Sequence, residues 1–452
     1  MACRRLREDC FIGTLISLAR IFPQDLSDSA PYAGSKSGFA QLMHISASRS
    51  FQSANQFPFM KQAVYFKNKP AFNNRKNKFS EKNYRGNAFA TPTAGKTIPE
   101  PFGFPRNSVF MRIGFMRLID AAPLVVAAAH GYFEHEGIAV DIERQGGWMI
   151  VRDKLSYGLL DASHSLLGMS IMSQLGRSDF LEPMVAVMNL GSGGSTLVVS
   201  TELAELGVDS PQALRRVIDS RRMGRKIICA HVSMFSMHHY LLRDWLARGE
   251  IDPDHDIQLV QLKPILLADH MSKHYVDLFC VGEPWGSLAE SRGWGRIALA
   301  TTDIYPDHPE KVLLTTESCA RQKPDQLTRI IRALIRGCAY CQMPEHRPAL
   351  AELLSQPEYV DESQELIMHS LEADHLGLEH VQRHRGMDWH FRSWQLQHCT
   401  PSVEHVRWFL QQMIRWRHLS LDADIAAIAA RCVRTDFFEH ATAGLQAATA
   451  AS

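Results

Sequence analysis

From Met111 onward, short apolar runs alternate with helical stretches of roughly 10–15 residues, and that alternation restricts the chain to parallel sheets covered by helices. Met111–Phe115, Ile138–Ile142, 184–190, 196–200, Lys226–Ala230, Ile257–Leu262 and Leu278–Val281 read as strands. Between them, helices are expected after Asp120-Ala-Ala-Pro123 up to Gly131 and through Val151–Tyr157 up to Gly158. Glycine is the usual residue just past a helix end. Two more helices are expected near 211–219 and from about Met234 to Ala247. Beyond residue 325 the apolar spacing turns to three and four over 325–343, 346–355, 362–372 and 402–416, so the chain should end in helices. No repeat at a fixed short period is present.

The net charge of +1 conceals two compositions. Residues 1–110 hold 16 Lys and Arg against 6 Asp and Glu, whereas residues 111–452 hold 33 against 42. The first segment is rich in Lys, Asn, Phe, Thr, Gly and Pro without sustained periodicity, and it lacks the apolar surface that would offset its ordering entropy. It is expected to be a disordered extension, or a translated stretch ahead of a start at Met111. The acidic body excludes direct nucleic-acid binding, which needs a concentrated basic face. The nine cysteines are scattered and mostly set in apolar runs, the pattern of free buried thiols in a reducing compartment. No run of ~18 apolar residues occurs, so no transmembrane helix is expected. Phe11–Ala19 behind Arg4, Arg5 and Arg7 has the outline of a secretory signal, but Glu8 and Asp9 interrupt its basic region and Arg20 ends the apolar run early.

Catalytic constellations are absent: there is no Gly-x-Ser-x-Gly, no phosphate loop ending in Lys-Ser/Thr and no His-Glu-x-x-His. Gly191-Ser-Gly-Gly-Ser195 imitates a phosphate loop but joins two strands with no helix after it. Cys338 and Cys341 have redox spacing yet sit near the end of a long helix, where two structural thiols are expected. His380 and His384 could share one helix face, with no third metal ligand at a clear spacing. More informative are polar and aromatic residues in the loops that follow strands, where open α/β sheets bind ligands. These are Gly147-Trp148, Gly194-Ser195, His238-His239, Gly282-Glu-Pro-Trp285 and Asp307-His-Pro-Glu-Lys311. Together they suit a small planar anion: Lys311 for charge, His238 and the Gly282 amide as donors, Trp148 as a flat wall, and Glu283 to orient donors or pair with a cation.

The ordered series Asp120-Ala-Ala-Pro-Leu124, Gly131-Tyr-Phe133, Trp148 with Val151-Arg-Asp-Lys-Leu155, Leu160-Asp-Ala-Ser-His164, Cys280-Val-Gly-Glu-Pro-Trp285, Asp307-His-Pro-Glu-Lys311 and Trp408–Trp416 resembles a known family. It is that of the nitrate- and bicarbonate-binding solute receptors of ABC transporters, together with their cytoplasmic nitrate/nitrite-sensor relatives. The resemblance runs from about 111 to 418. It implies a type II periplasmic-binding-protein fold, two α/β lobes with a hinge and a helical C-terminal part. The corresponding boundaries are 111–200 for the first part of lobe 1, 201–305 for lobe 2, and 306–452 for the return to lobe 1 and the final helices. It also implies a ligand held by Trp148, Ser195, His238, Gly282, Glu283 and Lys311, with no cofactor. Nitrate-binding members usually carry glutamine or asparagine near Ser195, and serine reaches less far. Lys311 implies nitrate or nitrite, because similar bicarbonate receptors rely on a bound metal where the lysine would stand.

Three functions follow. The first is a cytoplasmic sensor of nitrate or nitrite that holds an antiterminator-type regulator, using closure of two lobes as its switch. The second is an exported receptor, periplasmic or on the outer membrane face, that delivers the anion to an ABC permease. The third is an enzyme, since relatives on this fold act in thiamine-precursor synthesis through a nucleophilic histidine or cysteine, and His238, His239 and Cys229 lie near the right strand. Fold alone does not establish that chemistry, and no enzymatic activity is expected.

Overall fold

The structure, a computed structural model, describes residues 110–177, 179–306, 308–309, 311–372 and 394–451. The extension up to residue 109, the histidine-rich stretch holding His380 and His384, and Asp307 and Glu310 of the lysine motif lie outside the described residues.

Ten strands make two five-stranded sheets. They are β1 (Phe110–Phe115), β2 (Ala139–Arg144), β3 (Ala162–Ser165), β4 (Met184–Asn189), β5 (Ser195–Ser200), β6 (Ile228–His231), β7 (Gln258–Gln261), β8 (Leu278–Gly282), β9 (Gly295–Ala300) and β10 (Val312–Thr316). The first sheet has the order β2-β1-β3-β10-β4 and the second β7-β6-β8-β5-β9. The two orders are the same once β6, β7, β8, β5 and β9 are matched to β1, β2, β3, β10 and β4. The strand that follows each crossing of the chain, β5 in one lobe and β10 in the other, inserts between two strands of the sheet it enters, which is the type II periplasmic-binding-protein arrangement.

That insertion corrects two sequence expectations. The sheets are mixed, not parallel: β10 runs antiparallel to β3 and β4, and β5 antiparallel to β8 and β9. A strand entering from the opposite lobe arrives from the far end of the sheet and so runs against its neighbours. The first lobe's initial part also ends before residue 200, because β5 is hydrogen-bonded wholly within the second sheet. The chain crosses between lobes at 190–194 and again at 301–311, and the two crossings are tied together. Leu190 N donates to Lys311 O (2.8 Å), Gly193 N donates to His308 O (3.1 Å), and Ser192 pairs with Pro309. Gly193 and Gly194 take φ of 70° and 84°, a region other residues rarely adopt, which is why the first crossing is glycine-rich.

Three strands escaped the sequence reading. Ala162–Ser165 is Ala-Ser-His-Ser, fully buried yet without an apolar signal, and β9 and β10 were also passed over. The helices match more closely: Ala122–Ala129, Trp148–Ser156, Pro211–Ser220, Met237–Arg248, Pro324–Gln342, Arg347–Ser355, Gln364–Leu371 and Val403–Arg415. Ser210 and Ser236 cap two of them by accepting from Ala213 N and His239 N. The second lobe, part of the first lobe and the helices Val403–Arg415 and Ile425–Cys432 share one apolar cluster, while the rest of the first lobe packs with helices Pro324–Gln342, Arg347–Ser355, Gln364–Leu371 and Thr435–Ala451 in another. Helix Val403–Arg415 packs on Leu167–Gln174 of the first lobe and on Met237–Arg248 of the second, so the helical tail straddles both.

Candidate functional site

Each lobe contributes strand ends to one place. From the first lobe, the turn Ile119–Ala121 after β1 carries Asp120, β3 carries His164, helix Trp148–Ser156 begins at Trp148, and Lys311 stands just before β10. Lys311 Nζ donates to Asp120 Oδ2 at 2.9 Å, and His164 Nε2 lies 2.7 Å from Asp120 Oδ1. Lysine is 0 % exposed, histidine 0 % and aspartate 7 %. The ammonium stands 5.8 Å from the centroid of the Trp148 ring, within cation–π range. Trp148 Nε1 and His164 Nδ1 are buried with no hydrogen-bond partner among the described residues. A buried orphan donor costs about 1–3 kcal/mol, so such atoms mark where a polar ligand would be welcome.

The second lobe supplies Ser195 at the start of β5, Gly282 at the end of β8, and His238 in the first turn of helix Met237–Arg248. Ser195 Oγ and His238 Nε2 share a 2.8 Å hydrogen bond, both residues being buried. Gly282 is the meeting point. A Cβ built there would stand 3.6 Å from Asp120 Oδ2 of the first lobe and 3.6 Å from Ser195 Oγ of the second. Across the same seam, Ile119 N donates to Glu283 O (2.9 Å) and Trp285 Nε1 donates to Arg117 O (3.0 Å).

Five of the six expected residues are thereby linked by this set of contacts. Glu283 is placed differently. Its carboxylate accepts from Thr196 Oγ1 (2.9 Å) and Ser287 N (3.0 Å), inside the second lobe, and no ion pair to it occurs among the described residues. Burial raises its pKa, partly offset by those donors. It stands in the turn that follows Gly282 and orients two donors of the second lobe. Trp148 differs from expectation in another way: besides a flat face it offers an unpaired N–H. Asp120 and His164, quoted in the sequence motifs but not assigned to the site, are the two residues that the sequence reading missed. Asp120 directly follows the apolar Leu118 and Ile119, whereas His164 stands between Ser163 and Ser165 and carries no such signal.

Beside this place lies a cleft of ≈ 450 Å³ bounded by Met116, Arg117 and Arg144 of the first lobe and Lys263, Leu266 and Trp285 of the second. Arg117 and Arg144 both reach Asp361. Lys263 precedes helix Pro264–Ser272 and lies near Gly147, giving the cleft a basic rim.

Among the described residues the seven cysteines form no disulfide. Cys229 is fully buried and burial pushes its thiol well up, which disqualifies it as a nucleophile. Cys338 and Cys341 lie inside helix Pro324–Gln342, and Cys399 Sγ sits 3.7 Å from Cys338 Sγ. Among the described residues no group of three or more His, Cys, Asp or Glu could hold a metal ion, and no helix is long and apolar enough to cross a membrane.

Comparison with known proteins places this geometry in context. A model of the NMT1-like family matches residues 105–355. The chain is 31% identical over 338 residues to the nitrate import ATP-binding protein NrtC of Synechocystis sp., covering 74% of this chain and 50% of that protein. The chain thus spans about half the length of that relative. It is 28% identical over 370 residues to the nitrate/nitrite binding protein NrtA of Synechococcus elongatus, covering 78% of this chain and 83% of the other. The crystal structure of the periplasmic nitrate-binding protein NrtA from Synechocystis is similar with a TM-score of 0.69 at 24% identity, over 75% of this chain and 89% of that one, a likeness of fold.

Proposed function

We propose a function on one premise: the chain belongs to the NMT1-like family. It is the substrate-binding component of an ABC importer, and its ligand is nitrate or nitrite. The observation that carries this reading is the fully buried Lys311 ammonium, set against the face of Trp148 beside an indole N–H without a partner. A monovalent planar anion needs one fixed cation and several neutral donors. Lys311, Trp148 Nε1, the Ser195–His238 pair and the Gly282 amide make that set. The relatives support it too, since NrtA is a nitrate/nitrite binding protein and NrtC a nitrate import protein.

The same relatives favour the transport receptor over a cytoplasmic sensor bound to an antiterminator-type regulator. On the transport reading the protein works at the periplasmic or outer membrane face, its partner is a permease, and the basic rim of the cleft draws anions inward. Bicarbonate fits less well, because an ammonium already occupies the position beside Asp120. Calorimetric titration with nitrate, nitrite and bicarbonate tests the assignment. Heat with nitrate or nitrite is expected, and silence with both would overturn it.

A further inference from the structure

Ser195 follows two glycines at positive φ, Gly193 and Gly194, whose backbone freedom does little to fix where the serine stands. Hydrogen bonds from elsewhere hold these three residues in turn. Gly193 N donates to His308 O at 3.1 Å, Glu283 N donates to Gly194 O at 3.2 Å, and Thr301 Oγ1 donates to Ser195 O at 3.0 Å. The threonine hydroxyl has one hydrogen, and it goes to the Ser195 carbonyl. His308 Nε2, 2.8 Å from Thr301 Oγ1, is therefore the donor of the next bond in the chain. Ser195, Thr301 and His308 are all fully buried.

The end of a strand ladder explains why a side chain is needed here. Pairing of β5 with β9 stops at Thr196 and Ala300. One residue further would set Ser195 against Thr301, but at Thr301 the chain leaves the sheet in the 3-10 turn Thr301–Asp303. The hydroxyl continues the ladder by one bond where the backbone has turned away. His308, seven residues on, grips the first crossing twice: its carbonyl takes Gly193 N, and its ring acts through Thr301 on Ser195. At its other end Ser195 shares a bond with His238 Nε2 and lies in register with Gly282 of β8. The second crossing thus anchors the serine around which the second lobe's donors gather.

We propose that Thr301 and His308 are positioning residues of the anion site: the chain His308–Thr301–Ser195 sets the backbone of Ser195, and with it the placement of the Ser195 hydroxyl and the His238 ring against the anion. The inference rests on the proposed function and assigns part of the affinity to two residues that act through Ser195. A buried threonine and histidine that only filled space would contribute to stability alone. Positioning residues are coupled to the ligand, and the coupling is reciprocal: what the clamp adds to the anion's affinity, the bound anion adds to the clamp.

The experiment is calorimetric titration of the full chain with nitrate, for Thr301→Val, Thr301→Ser, Ser195→Ala and the double variant Thr301→Val with Ser195→Ala. Thr301→Val keeps the shape of the side chain and removes its hydroxyl, and nitrate affinity should fall by about three- to tenfold. Thr301→Ser retains the hydroxyl and should bind within about twofold of the unaltered protein. In the Ser195→Ala background, Thr301→Val should change affinity by less than about twofold, because the group it positions is gone. Should Thr301→Val not fold, amide exchange of the unaltered protein reads the coupling from the other side. Saturating nitrate should slow the Gly193 and Glu283 amides at least about fivefold more than those of edge strand β2. Unaltered affinity in a folded Thr301→Val, a loss that Thr301→Ser does not restore, or an equal loss in the Ser195→Ala background would each overturn the inference and leave the proposed function standing. So would Gly193 and Glu283 amides slowed no more than those of β2. No binding of nitrate or nitrite by the unaltered protein would overturn both.

Discussion

Lys311 Nζ is hydrogen-bonded to Asp120 Oδ2 at 2.9 Å across a separation of 191 residues, with both groups buried. The strand insertion makes this contact. The second crossing returns the chain to the first lobe at residue 311, beside the turn that follows β1. The pair therefore ties the second crossing to the turn that follows β1.

Breaking that pair from one side should cost both stability and affinity. Lys311→Ala leaves the Asp120 carboxylate buried without its ammonium, a loss of about 3–5 kcal/mol. Nitrate affinity should fall at least about tenfold, since a charge-assisted hydrogen bond contributes ~1.5–3 kcal/mol. Urea unfolding and calorimetric titration measure the two effects; unchanged affinity in a folded variant would show that Lys311 is not in the site.

Ser195→Ala tests the second lobe's share. It removes the hydroxyl that shares a bond with His238 Nε2. A neutral hydrogen bond is worth ~0.5–1.5 kcal/mol, so affinity should drop by about two- to twelvefold with little change in melting temperature. Affinity equal to that of the unaltered protein would place the anion away from this pair.

Gly286→Ala should weaken the fold. A Cβ there would stand 2.0 Å from Thr196 Oγ1 and 2.7 Å from Glu283 Oε1, forcing apart the bond that holds the carboxylate. Overpacking of this kind costs about 1–3 kcal/mol. Chemical denaturation reads the loss directly.

Stability should decline in mild acid because of a buried histidine pair behind His238. His239 Nδ1 lies 3.2 Å from His231 Nε2, and Arg243 Nε donates to His239 Nε2 at 3.0 Å. Burial is the main cause that lowers His231 to about 4 and holds His239 well below its ordinary value. In the unfolded chain these histidines take protons near the ordinary 6.5, whereas in the folded chain they do not until much lower pH. The unfolded state therefore binds more protons between those values, and stability rises with pH there. The histidine contribution is complete above about 6.5 and is lost as pH falls toward 4. Urea midpoints between neutral pH and pH ~4.5 should show a shallower decline in His231→Gln than in the unaltered protein.

Lys263 at the cleft rim should act on the rate of capture. Lys263→Glu is expected to slow nitrate association by about two- to fivefold at low ionic strength and by less in salt, the signature of steering. Stopped-flow fluorescence of the cleft tryptophans follows it, and a rate indifferent to both charge and salt would remove the rim from the entry path.

The sequence by itself determined the order of most strands and helices after Met111, the glycine-rich crossing at 191–194, and the helical tail. Those are local properties: apolar periodicity, capping serines and glycines at positive φ act over a few residues. It also pointed to Trp148, Ser195, His238, Gly282 and Lys311, through motifs that sit at strand ends. What only the tertiary structure decided was the pairing. The polar strand Ala162–Ser165 is buried because β1 and β10 flank it, and neither neighbour is written in its own four residues. For the same reason β5 belongs to the second sheet and β10 to the first, running against their neighbours. Asp120, His164 and Lys311 meet only because the return of the chain to the first lobe brings three distant segments together.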